Sequence, residues 1–256
     1  MKTVISFDLY ADMGFLKKPD INEKIYLTYN MLHKPCLLGI LGAIAGLKGF
    51  TKNNEFPEYY KKLKNIPVGI KPIGKACVRG NFTKNVTTYI NTIGFANADG
   101  NLIVSEQTLI HPAYRIFLLL NLEKDDEQTL YNRIWQQEAS FIPYLGKNDY
   151  SAWWYKKDVK EYSFQEFKGD EEFQIETVFI KEDPLVNQVV EYKATFRNNL
   201  SFLNGSFMYF EKLPIGYNPE LYQYDYADFA YTDWRLSKDS FLSNLYKVNN
   251  LIVQLN

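Results

Sequence analysis

The chain has 256 residues, 29 basic against 30 acidic side chains, 46% hydrophobic and 23% charged residues. That excludes a disordered, collagen-like or disulfide-stapled protein, and the length suits one large domain or two small ones with a sizeable core. Phe 18, Tyr 20 and Trp 4 make up 16% of the chain, which favours strands and offers flat faces for stacking bases.

Charge is divided along the chain. Residues 1–120 hold 15 Lys or Arg against 8 Asp or Glu, a net of plus 7, and residues 121–256 hold 14 against 22, a net of minus 8. The excess is densest from Lys17 to Lys84, where 13 basic side chains meet only Asp20, Glu23, Glu55 and Glu58. A field of that sign attracts phosphates, while the acidic remainder limits indiscriminate binding or faces a basic partner. Lys61, Lys62 and Lys64 read as solvating cations of an exposed helix.

Taken in chain order, Thr3 to Leu9 alternates as a strand and Met13 to Asn30 reads as a loop carrying Lys17 and Lys18. Pro35 suits the first turn of a helix running to about Phe50, with Gly39, Gly42, Gly46 and Gly49 on one face. Their spacing matches neither G-x-G-x-x-G nor a P-loop, so a nucleotide cradle is rejected. The apolar run Cys36 to Leu47 has 12 residues, short of the roughly 20 that span a bilayer, so no membrane association is expected.

A strand from about Pro67 to Val78 precedes a hairpin-like arm. Val86 to Ile93 alternates, Ala98-Asp99-Gly100-Asn101 signals a turn, and Leu102 to Val104 can return. Tyr114 to Leu120 is a buried-strand run. Asp125-Asp126-Glu127 opens a helix to about Gln137, and a strand follows around Tyr150 to Tyr155.

Apart from the arm, the order is β-α-β-β-α-β, which predicts an α+β fold with a ferredoxin-like core of the kind RNA-recognition modules use. Residues 1–155 form that unit. Residues 156–256 read as a β-rich appendage with strand candidates at Phe173 to Ile180, Val189 to Phe196 and Ser206 to Phe210, then an aromatic tail from Tyr222 to Trp234 among Asp225, Asp228 and Asp233. Cys36 and Cys77 form no C-x-x-C pair, and the opening residues, broken by Asp8, carry no targeting pattern. Both point to a reduced, cytoplasmic protein.

The segment Thr28 to Leu47, with Thr28-Tyr29, Pro35 and the Leu37-Leu38-Gly39-rich helix, resembles the CRISPR-associated Cas-five family of RAMP proteins. Phe15-Leu16-Lys17, the stretch Glu106 to Ile116 and Tyr144-Leu145-Gly146-Lys147 resemble further marks of that family in the same order, and length and the last motif are most like its type I-B branch. The match covers about residues 1–155; Leu16 departs from it, since an Arg is usual there.

The resemblance implies a non-catalytic subunit of Cascade, the type I surveillance complex, that caps the 5′ handle of the guide crRNA in antiviral defence. It implies contacts with the backbone subunit and the large subunit, with target DNA near the PAM a further candidate. It also makes residues 80–105 a thumb hairpin.

A single-stranded handle needs cations for phosphates and aromatic faces for splayed bases. The candidates are Lys17, Lys18, Lys34, Arg79, Lys84 and Arg115 as cations and Tyr29 for stacking or a hydroxyl contact. Arg115, in an apolar strand, equally reads as a paired structural Arg, and Tyr29 as a core tyrosine. Tyr89, Ile90, Ile93 and Phe95 are candidates for the thumb's wedge, about half of them packing across the hairpin because strand side chains alternate.

The rival reading, implied by the type I-C branch, is a metal-independent endoribonuclease that processes precursor crRNA. It needs an acid and a base, for which only His33 and His111 are present. No His, Cys or carboxylate cluster has ligand spacing, so neither metal nor cofactor is expected.

Overall fold

The computed structural model describes residues 1–19, 24–52, 55–91, 102–181, 202–203, 205–218, 220–238, 240 and 242–256. Its centre is an antiparallel sheet. Strand β1 (Lys2–Ala11) pairs along its length with β5 (Ala113–Asn121), from Lys2↔Asn121 to Tyr10↔Ala113, and β2 (Val68–Pro72) flanks β5 on the far side. The other edge of β1 takes β6 (Ala152–Trp153) at Tyr10↔Trp153 and β7 (Lys160–Tyr162) at Val4↔Tyr162. The strand order across this sheet is therefore β6-β1-β5-β2, with β7 beside the start of β1.

Both faces of β1 and β5 are covered, which is why β5 reads as a nearly continuous apolar run, whereas β1 alternates because buried Ser6 and Asp8 lie on its second face. Ile5, Phe7 and Leu9 share a core with Leu37, Leu41 and Ile44 of helix α1 (Lys34–Ala45) and with Leu130 and Ile134 of helix α3 (Asp125–Gln136). On the opposite face, Val4, Phe117 and Leu119 pack against Val248, Val253 and Leu255 near the end of the chain.

Helix α1 stops at Ala45 rather than near Phe50, because Gly46 adopts a left-handed φ of 79° and returns its N–H to Gly42 O. At its start His33 is the N-cap, its Nδ1 accepting from Cys36 N at 3.4 Å. Of the four glycines, Gly42 has the packing role. The short helix α2 (Glu58–Leu63) lays Tyr59 so close that a Cβ at Gly42 would overlap it, whereas Gly49 lies beyond the helix with open space around it.

The arm is a hairpin of β3 (Lys84–Asn91) and β4 (Leu102–Ile110), in register from Lys84↔Leu109 to Asn91↔Leu102; Ile93, Phe95 and the turn Ala98 to Asn101 lie outside the described residues. The segment read as a plain loop adds two short strands to β4. Met13–Gly14 pairs antiparallel with Leu109 and Ile110, and Ile25–Tyr26 pairs parallel with Ser105 and Glu106. This places Lys17 and Tyr26 beside the arm's root.

The region after residue 156 is strand-rich. The tail from Tyr222 to Trp234 is largely a strand: β9 (Gln223–Thr232) runs antiparallel to β8 (Met208–Asn218), with a bulge between Pro214 and Gly216. Leu213 and Phe229 join the main core, and β10 (Leu245–Val248) with β11 (Leu251–Gln254) closes the second face of the central sheet. The strand candidate Val189 to Phe196 lies outside the described residues. No helix among the described residues is long and apolar enough to cross a membrane.

Candidate nucleic-acid interface

A groove of about 900 Å³ opens along α1. Its floor is the Pro35, Gly39 and Ala43 face of the helix. One wall is an aromatic chain: Phe56 stacks on Tyr60 at 5.2 Å, Tyr217 meets Tyr224 at 5.6 Å, and Tyr224 meets His33 at 5.9 Å. The other wall is the segment 141–147, anchored at the last turn of α1 by Phe141 N to Ala43 O and beside Phe15 by Phe15 N to Leu145 O.

The two ends of the groove differ. Beside α1's C-terminus the rim is apolar and open, with Phe50, Phe141 and Ile142 all exposed. At the arm's root the lining is charged and aromatic: Lys17, Tyr26, Tyr89, Glu106 and Lys147. Lys17 Nζ sits 3.8 Å from the Tyr26 ring centroid and, among the described residues, has no carboxylate in ion-pair range. Lys147 Nζ donates to Glu106 Oε1 at 2.6 Å and lies 4.8 Å from the Tyr89 centroid. Burial, the largest single effect, works against its charge, but the hydrogen bond to Glu106 together with the attraction of that carboxylate and of Tyr89 and Tyr150 raises the ammonium's pKa. Gly146 supports this end: at φ +89° it passes under Phe15, whose carbonyl oxygen a Cβ would strike.

The remaining candidates do not gather in one place. Lys18, Tyr29 and Lys84 gather beside the arm around Asn30. Lys84 Nζ donates to Asn30 Oδ1 at 2.9 Å, and Lys18 Nζ lies 3.5 Å from Glu211 Oε1. Tyr29 is buried, 2% exposed, with its hydroxyl bonded to Tyr226. Glu211, on β8, accepts from Asn30 N and Met31 N at 3.1 Å each and from the Tyr209 hydroxyl at 2.7 Å. That carboxylate ties the strand-rich C-terminal region to the entrance of α1.

Two cations are engaged elsewhere. Arg115 makes a two-pronged pair with buried Asp8, at 2.6 and 2.8 Å, on the sheet face away from the helices. Lys34 donates to Asn256 O at 2.9 Å, and burial pulls its pKa down to about 8. Arg79 is exposed at φ +51° in a separate short hairpin. On the arm, Tyr89 lines the groove, while Ile90, 51% exposed, points to the other face with Val86 and Ile103.

The two histidines have unlike surroundings. His33 is buried, and burial pulls its pKa down to about 3. Its Nδ1 is used in capping α1. His111 is exposed in the turn before β5, with Nδ1 3.7 Å from Asp12 Oδ1. Cys36 lines the groove, but burial pushes its thiol up to about 12, so it stays protonated.

Sequence reasoning missed Tyr26, Glu106 and Glu211 as members of this region and assigned Lys147 no role. Lys147 and Glu106 had a signal in their places in the Tyr144-Leu145-Gly146-Lys147 match and at the head of the Glu106 to Ile116 match. Glu106 meets it across 41 residues, and Glu211 meets Asn30 across 181, separations that no local pattern reveals.

No family model matches the chain, and no curated protein matches it in sequence. Solved structures do. A crystal structure of a CRISPR protein from Archaeoglobus fulgidus aligns at TM-score 0.50 and 13% identity, covering 99% of this chain and 98% of that one. A chain of a CRISPR RNA-guided surveillance complex aligns at 0.46 and 10% identity over 91% and 92%, and one of a type III-B Cmr-beta complex bound to cognate target RNA at 0.48 and 11% over 93% and 86%. The chain is thus a mixed α+β, strand-rich protein that shares its fold, over nearly its whole length, with a CRISPR protein.

Proposed function

We propose that the chain is a Cas-five RAMP subunit of a type I Cascade, of the I-B branch, that caps the crRNA 5′ handle and contacts the backbone and large subunits. The observation that carries this reading is the charged, aromatic end of the groove at the arm's root. It sets Lys17 over Tyr26 beside Tyr89 and Lys147, and so pairs cations with stacking faces as single-stranded RNA requires. The sheet order β6-β1-β5-β2, with α1 and α3 on one face, supports reading residues 1–155 as a ferredoxin-like core, β3 and β4 as its thumb, and residues 156–256 as the appendage. The handle's phosphates fall to Lys17, Lys18 and Lys84, with Tyr89 as the described part of the wedge.

Processing of precursor RNA is the alternative. Its chemistry needs a histidine that gains and loses a proton near neutral pH. An imidazole with a pKa of about 3, hydrogen-bonded in a helix cap, is poorly suited to that task, and among the described residues His111 has Asp12, not His33, as its neighbour in ion-pair range. The capping role is therefore favoured. Fluorescence anisotropy tests it with labelled RNA carrying the 5′ handle and with a scrambled handle, each with and without the backbone subunits. Handle-selective binding that strengthens with those subunits is expected; equal binding of both RNAs in both conditions would overturn the capping role.

A further inference from the structure

The polar end of the groove contains a pair that phosphate binding does not explain. Glu106 is nine-tenths buried or more, its side chain 3% exposed, yet it lines the groove. Among the described residues only Lys147 donates to its carboxylate. A buried carboxylate repels phosphate, so a surface built only to neutralise the backbone would not place one there. A pair that merely tied β4 to the segment 141–147 would not need to border an open groove.

What the pair does offer is a fixed pattern of one donor beside two acceptors. The Lys147 ammonium is oriented by its bond to Glu106 and by the rings of Tyr89, Tyr150 and Phe15, at 4.8, 5.7 and 5.9 Å. It has further N–H donors beyond the one given to Glu106, and the carboxylate's oxygens accept several hydrogen bonds. Guanine's Watson–Crick edge runs acceptor, donor, donor: O6, N1–H and N2–H. Adenine would turn the unprotonated N1 toward the carboxylate. Uracil sets one donor between two acceptors, and cytosine sets one donor beside two acceptors. Only guanine complements all three positions.

We propose that Glu106 and Lys147 form a pocket selective for one unpaired guanine. The carboxylate accepts from N1–H and N2–H, Lys147 donates to O6, Tyr89 provides a stacking face, and Lys17 meets a neighbouring phosphate. This rests on the RNA-binding reading above and adds the base that is read. A guanine so held is discriminated from other bases by roughly tenfold or more.

The test uses the intact chain and labelled oligouridine decamers in which one central base is guanine, adenine, inosine or 1-methylguanine, compared by anisotropy at one salt concentration. The guanine decamer is expected to bind about tenfold tighter than the adenine one, inosine to fall between because it lacks the N2 amino group, and 1-methylguanine to lose the advantage because its N1 has no proton. Glu106→Gln should bring the ratio of guanine to adenine affinity close to one, whatever it does to binding of plain oligouridine, and the methylated base gives the same answer without any variant. Equal binding of all decamers, or binding of none of them while the handle RNA is bound in the presence of the backbone subunits, would overturn the guanine pocket and leave the capping role standing; failure to bind any RNA, handle included, with those subunits present would remove both.

Discussion

Lowering the pH from 7.5 to 5 should weaken the fold through His33. Its folded pKa of about 3 lies below the unfolded value of about 6.5. Between those values the unfolded chain binds a proton that the folded chain refuses, so stability rises with pH across the window and falls on acidification. The loss approaches 1.36 kcal/mol per unit well inside the window and amounts to about 2 kcal/mol by pH 5. Any folded pKa below about 4 yields the same figure, because His33 is then still neutral at pH 5.

Urea denaturation at a series of pH values, on the wild type and on His33→Asn, isolates this contribution. Asn keeps an N-cap acceptor for Cys36 N, and the other titrating groups are common to both proteins. The wild type is expected to lose about 2 kcal/mol more than the variant between pH 7.5 and 5. Parallel profiles would refute the reasoning: they would mean that folded His33 takes up a proton near neutrality, the property an RNA-cleaving site requires.

Other perturbations separate structural from RNA-binding roles. Gly146→Ala forces a side chain into a left-handed backbone and onto the Phe15 carbonyl, so a loss of about 3 kcal/mol or more is expected in thermal or urea melts. Arg115→Met leaves Asp8, 4% exposed, without its partner and should cost about 2 kcal/mol after allowing for Arg115's partial exposure, while the folded fraction binds RNA as the wild type does. Lys17→Gln should weaken handle binding and flatten the logarithmic salt slope by about 0.7, whereas Lys34→Gln, at a residue bonded to Asn256, should leave the slope unchanged.

The elements legible in the sequence are those with strong local signals. Helix α3 announces itself through Asp125, Asp126 and Glu127 at its first turn, and β5 through its apolar run. The length of α1 was overestimated because Gly46 reads equally as a helix-face glycine or a left-handed cap, and packing of α2 on Gly42 decides only in three dimensions. Of the β8–β9 hairpin, the start of β8 is legible in the strand candidate Ser206 to Phe210, whereas β9 reads only as an aromatic tail, although Tyr224 and Tyr226 alternate with Asp225 as a strand requires.

The basic stretch predicted attraction for phosphate but not the neighbours of each cation. Asp8 lies 107 residues from Arg115 and Asn256 lies 222 from Lys34, so their engagement depends on the path of the chain. The same holds for Glu106 and Lys147, whose pairing follows from β4 and the segment 141–147 meeting at the groove. Lys17 and Tyr89, by contrast, were named from the sequence and line one groove.

The most direct test of the account incubates the purified chain, without added metal, with a labelled repeat–spacer RNA and resolves cleavage and binding on paired gels, with and without the backbone subunits. The account predicts intact RNA held through its 5′ handle when those subunits are present. A discrete cut within the repeat, lost in His33→Ala or His111→Ala, would contradict it and make the chain a processing nuclease.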